Sequence, residues 1–196
     1  PHLHAALRPG TRALRERAFA ALYPLLVLRG DDLVQADLLA QYAVDSEDRL
    51  AAAALMARTP SGSQKALRLA ESLLGDEFGR GVVGAAGRLT ARLYESLGQP
   101  GRAADQFALV RLRGDTGHTP VREEARLRLE AGQPAAALRL IEDHGIDAAE
   151  AKASALESLG RFAEAAQALE GVESPTATLH RVQLLANRLG QTEDAV

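Results

Sequence analysis

The chain has 196 residues, 46% of them apolar and 25% charged, which is enough apolar content for a core and excludes a disordered tail. A formal charge of −3 gives no overall pull toward nucleic acid or an anionic membrane, so this segment is not expected to bind nucleic acid. Without cysteine, disulfides, thiolate metal sites and cysteine nucleophiles are excluded, while the redox compartment stays open.

The chain starts at "PHLHAALRPG" without an initiator Met and stops at "GQTEDAV", which reads as a helix beginning. It is expected to be a piece of a longer protein. His2 and His4 have ligand spacing, but they sit at a terminus with no third ligand nearby, so no metal site is expected there. Apolar residues recur every three or four positions over 13–28, 48–57, 64–74, 88–97, 102–112, 121–131, 148–159 and 162–169, which predicts helices in each. The longest apolar run, 18–28, is broken by Pro24 and falls short of the roughly 20 residues that span a bilayer. At 45–48, "DSED" predicts an N-cap followed by acids in the first turn. Tyr23, Tyr42 and Tyr94 fall at helical core positions.

Within "FGRGVVGAAGRL" (78–89), Gly79, Gly81 and Gly84 fit the G-x-G-x-x-G spacing of a pyrophosphate cradle. That cradle requires a preceding strand and a βαβ unit, and the preceding "SQKALRLAESLLGDEF" is helical. The glycines are therefore expected to end one helix and to let the next pack closely; no nucleotide or other cofactor is predicted. Only "GVV" at 81–83 looks strand-like. The fold class is all-α.

The glycines between helices, Gly30, Gly62, Gly98, Gly132, Gly160 and Gly190, are 32, 36, 34, 28 and 30 residues apart, about one helix-turn-helix each. Around three of them the residue types agree. Ala91, Ala125 and Ala153 lie seven before the glycine, Ala103, Ala137 and Ala165 five after, and Phe107, Ile141 and Leu169 nine after. Small residues of this kind let two helices cross closely while the larger one fills the gap to the next pair. Residues 84–117, with Ala91, Tyr94, Gly98, Ala103 and Phe107, resemble the tetratricopeptide repeat, and residues 151–170 do so with Ala153, Gly160, Phe162, Ala165 and Leu169. The resemblance covers 84–196. Near Gly30 the small positions hold Tyr23 and Gln35, and near Gly62 Leu55 and Leu67, so 1–83 is expected to form divergent helical hairpins or an N-terminal helical cap, kinked at Pro24. Glu124 and Lys152 depart from the family, which keeps Leu there. The resemblance implies a single continuous domain of antiparallel helix hairpins stacked into a superhelical solenoid.

No catalytic constellation emerges. Glu142, Asp143 and His144 read as a hydrated helix end, and His118, His144 and His180 have no common spacing; two are expected in loops and one in a helix. The surface is more informative. Arg88 and Arg92 are four apart, and Arg122 and Arg126 repeat the pair 34 residues later. The resemblance implies that these first-helix positions line a concave groove, where four guanidiniums would form a basic ladder suited to acidic or C-terminal carboxylate groups of a protein or peptide. On the same face Glu150, Ser154 and Glu157 would turn the groove acidic toward the C-terminus. An alternative is ordinary pairing along each helix, Arg92 with Glu95 and Arg126 with Glu130, which leaves Arg88 and Arg122 with no acid three or four residues away.

The expected function is a non-catalytic protein interaction scaffold that holds a peptide or partner domain in that groove, with the regulatory helical-repeat part of a larger signalling ATPase or transcription activator as the second reading. A cytoplasmic location is expected, alongside an exported form that has lost its signal peptide.

Overall fold

The computed structural model describes residues 24, 32–42, 45–75, 77–113 and 117–188. The helix expected at 13–28, with Tyr23, lies outside them, as do Gly30 and Gly190. Among the described residues there is no strand, and ten α-helices follow one another: α1 (Asp32–Tyr42), α2 (Ser46–Ala57), α3 (Ser63–Glu71), α4 (Arg80–Ser96), α5 (Pro100–Leu112), α6 (His118–Glu130), α7 (Pro134–Asp143), α8 (Ala149–Ser158), α9 (Phe162–Ala168) and α10 (Pro175–Arg188). The chain divides into two compact units, Pro1–Leu93 and Tyr94–Val196, with the boundary inside α4.

In the first unit α1 packs on α2 and α2 on α3. The helix start at "DSED" is as expected: Asp45 is the N-cap, its carboxylate accepts from the Asp48 backbone N–H at 2.8 Å, and Glu47 and Asp48 occupy the first turn. Asp32 at the start of α1 meets Arg58 just after α2 at 3.2 Å, so the two helices run antiparallel. A 3-10 turn, Pro60–Gly62, joins α2 to α3. Gly62 has an ordinary φ of −89°, and what demands glycine there is space: a Cβ would lie 2.3 Å from the Met56 carbonyl oxygen. The close contacts are made by Ala52, Ala53, Ala66 and Ala70, all fully buried, while Leu55 and Leu67 are only half-buried. The small residues of this hairpin thus occupy a different register from the one expected around Gly62.

In the second unit α5 packs on α6, and each helix from α6 to α10 packs on the next; α6 also touches α8. Four helix ends share one geometry, and the one at Gly145, with φ 57° and the Ile146 N–H donating to the Ile141 carbonyl at 3.1 Å, lies outside the glycine period read from the sequence. Gly98, Gly132 and Gly160 take φ of 69°, 70° and 75°, a left-handed conformation in which a Cβ is strained. The residues after them, Gln99, Gln133 and Arg161, donate their backbone N–H to the carbonyls of Tyr94, Arg128 and Leu156 at 2.9, 2.8 and 2.9 Å. These are six-to-one bonds that satisfy orphan helix carbonyls. In two of them a proline follows at once, Pro100 or Pro134, with its φ already suited to a first helical turn.

The expected register is visible in burial. Ala91, Ala103, Ala137, Ala153 and Ala165 are fully buried, Ala125 nearly so, and Phe107, Ile141, Leu169 and Tyr94 are also buried, whereas Tyr42 is half-buried. Each alanine saves a side-chain radius at a helix crossing, and each larger residue supplies the apolar area that drives association. The "GVV" stretch forms the start of α4 rather than a strand. Among the described residues no strand precedes Gly79, Gly81 and Gly84; a Cβ on Gly79 or Gly81 would meet no described atom within 4 Å, and a Cβ on buried Gly84 would meet the Arg88 guanidinium at 3.6 Å.

Glu124, in a leucine position of the resembled repeat, is 3% exposed. Its carboxylate lies 3.2 Å from Arg111 Nε and 3.8 Å from Arg128, which in turn reaches Asp105 at 2.8 Å. The burial penalty of the carboxylate is thus offset by two guanidiniums.

Candidate interaction groove

An open groove of about 720 Å³ lies in the second unit, bordered by α6, the loop before α8, the first turn of α8 and the loop before α10. Its apolar floor consists of small groups, notably buried Ala125 and half-buried Ala148 and Val172. Four carboxylate residues, Glu123, Asp147, Glu150 and Glu173, share its lining with two arginines, Arg122 and Arg126.

Arg126 is fully engaged. Its Nη2 is 2.9 Å from both Glu95 and Glu123, and its Nη1 is 2.6 Å from Glu130. Burial opposes its charge, but the bonds to Glu123, Glu95 and Glu130 outweigh that effect and hold it protonated well above the ordinary arginine range. The expected Arg126–Glu130 pair is present, whereas Glu95, matched by spacing to Arg92, faces Arg126 instead. Arg122 donates from Nη2 to the Asp147 backbone carbonyl at 3.1 Å. Arg88 is half-buried and Arg92 exposed on α4, both in the first unit.

The acidic end is similarly engaged. Glu150 Oε1 accepts from the hydroxyls of Ser174 and Thr176, each at 3.0 Å, and Glu157 sits 2.7 Å from His180 Nε2. Ser154 turns its hydroxyl to the Glu150 carbonyl of its own helix at 3.0 Å, a local bond that withdraws it from the groove's chemistry. Glu95–Arg126, Glu150–Thr176 and Glu157–His180 thus tie alternate helices together: α4 to α6, and α8 to α10. Glu150 and Glu157 meet α10 in the same order along the chain, so α8 and α10 run parallel.

Sequence reasoning placed Arg122, Arg126 and Glu150 at the groove but missed Asp147, Glu173 and the hydroxyls of Ser174 and Thr176. Asp147, Glu173 and Ser174 come from loops and Thr176 from the first turn of α10, where no helical period marks them; the available signal was turn composition alone. His144 is exposed at the end of α7 beside exposed Glu142 and Asp143. Contrary to the expected loop position, His118 opens α6. Among the described residues no three His, Asp or Glu side chains gather as a metal site, and no helix is long and apolar enough to cross a membrane. His2 and His4 lie outside the described residues. No family model, curated protein or solved structure matches the chain.

Proposed function

We propose that the chain is a non-catalytic interaction module of tetratricopeptide-like helical hairpins, and that the groove of its second unit holds a peptide segment of a partner protein. The groove carries this reading: it is bordered by alternate helices, and its volume lies within the 300–1,000 Å³ typical of sites that enclose a small ligand. Three supports stand behind the repeat reading. The glycine turns at 98, 132 and 160 recur with the same bonds, the small residues of successive hairpins are buried in one register, and α6 touches α8 across α7. A stack of such hairpins fixes its groove before the partner arrives, which limits the ordering cost of binding.

Selection of a displayed random peptide library on the immobilised chain tests the proposal. Binders are expected whose affinity is lost in Ala148→Trp, where the indole would fill the groove, while circular dichroism and the melting temperature stay near wild type. Binders that ignore Ala148→Trp, or a selection that yields none, would contradict it.

A further inference from the structure

We infer that the occupant of this groove is a cationic peptide segment, one that presents arginine or lysine side chains, rather than the carboxylate-bearing partner that the arginine spacing suggests. The inference rests on the groove being the peptide site. Charge is the first argument. Arg126, the more enclosed of the two lining guanidiniums, already meets three carboxylates, Glu95, Glu123 and Glu130, within 2.9 Å. Arg122 is anchored to the Asp147 carbonyl oxygen, which holds its guanidinium at one wall. Against these two positive charges the lining sets the carboxylates of Glu123, Asp147, Glu150 and Glu173, so the groove is left with an excess of negative charge. The hydroxyl partners of Glu150 are neutral and leave its charge in place. An anionic peptide would enter against this field and find its best cation occupied.

Shape is the second argument. Ala125 is buried and Ala148 and Val172 are half-buried, whereas the lining carboxylates of Asp147, Glu150 and Glu173 are exposed, so the small apolar groups form the floor beneath the charges. Arginine and lysine combine an apolar stem with a charged head, and they lay the stem on apolar surface while the head stays at the polar rim. Aspartate and glutamate have too short a stem to use such a floor. A guanidinium could also take a carboxylate in a two-bond fork, most readily at Asp147 or Glu173, which are on loops.

Groove-binding peptides from the library selection, defined by their loss of affinity in Ala148→Trp, provide the probes. They should be enriched in arginine and lysine over the starting library. Asp147→Asn combined with Glu173→Gln, two loop positions whose substitution spares the helices, should raise the Kd of a selected peptide about tenfold in low salt, with a smaller change at high salt. Replacing the cationic residues of that peptide by glutamine should abolish the difference. Groove binders enriched in aspartate or glutamate, or an affinity unchanged or improved in the double variant, would overturn the cationic assignment while leaving the groove as the site. Binders that ignore Ala148→Trp would instead contradict the groove reading itself.

Discussion

The two units join their helices with glycine for opposite reasons. At Gly62 in the first unit the backbone angle is ordinary and the neighbouring Met56 carbonyl leaves no room for a Cβ; at Gly98, Gly132 and Gly160 in the second, nothing lies within 4 Å, but φ is positive. One glycine answers a steric demand and three answer a conformational one. Only the second kind is fixed by local chain geometry and can recur with the same sequence around it, which is why the repeat is plain after residue 84 and faint before it. The charged contacts differ in the same way. Lys65–Asp37 in the first unit is open to water, with side chains 61% and 45% exposed, whereas the Glu124 carboxylate in the second is 4% exposed between two arginines.

The largest effect expected from this contrast lies at Glu124. Its removal in Glu124→Ala strands Arg111 and leaves Arg128 with Asp105 as its one carboxylate beside the Gln133 amide oxygen, and it should destabilise the protein by about 3 kcal/mol. Asp37→Ala should cost no more than about 0.5 kcal/mol. Chemical denaturation of both variants checks the pair, and equal losses would break the distinction between the units.

The glycine comparison sets the next scale. Gly62→Ala forces a Cβ against a backbone oxygen and should cost about 2–3 kcal/mol. Gly98→Ala meets open space and should cost only about 1–2 kcal/mol, from the left-handed backbone. Asparagine, which tolerates that conformation, should recover part of the loss at 98 but none at 62. The same denaturation series measures this, and recovery at 62 would show that conformation, not space, selects that glycine.

The smallest effect is a difference of sign in acid. Asp48, in the first unit, has its pKa raised from 3.8 by burial, then by Asp45 and Glu47, so it favours folding at low pH and loses that contribution as pH rises. Glu164, in the second unit, has its pKa lowered from 4.5 by its bond to Arg161, so it favours folding above that value and loses the contribution as pH falls through its folded pKa. Relative to wild type, Glu164→Gln should therefore melt lower at neutral pH and converge at low pH, while Asp48→Asn should show the reverse trend. Melting curves across acidic pH read the two signs.

The register of the second unit and its helices α5, α6, α8 and α9 were legible because they rest on short-range patterns, an alanine five residues after a glycine and a glycine followed by glutamine and proline, whereas α7 and α10 fell outside the predicted spans. The use of the charged residues was not, because their partners are distant in the chain. Arg126 finds Glu95 from 31 positions earlier, and Glu150 finds Ser174 in a later loop and Thr176 in the helix after it. Spacing within a helix pairs a residue with its own turn; it is blind to a neighbour supplied by the next hairpin. The basic ladder read from Arg88, Arg92, Arg122 and Arg126 counted cations and could not see the three carboxylates around Arg126 or the Asp147 carbonyl at Arg122. The buried Glu124 was noticed as an oddity in a leucine position, but Arg111 and Arg128 gave no sign that they would enclose it.

A nitrogen–proton correlation titration with a library-selected peptide tests the central claim most directly, since it reports every backbone amide at once. The shifts are expected at 122–126, 147–151 and 171–173, the borders of the groove, with α1 to α3 unmoved. Shifts concentrated on α1 to α3, or spread evenly with no maximum at the groove, would contradict the assignment of the second unit as the recognition surface.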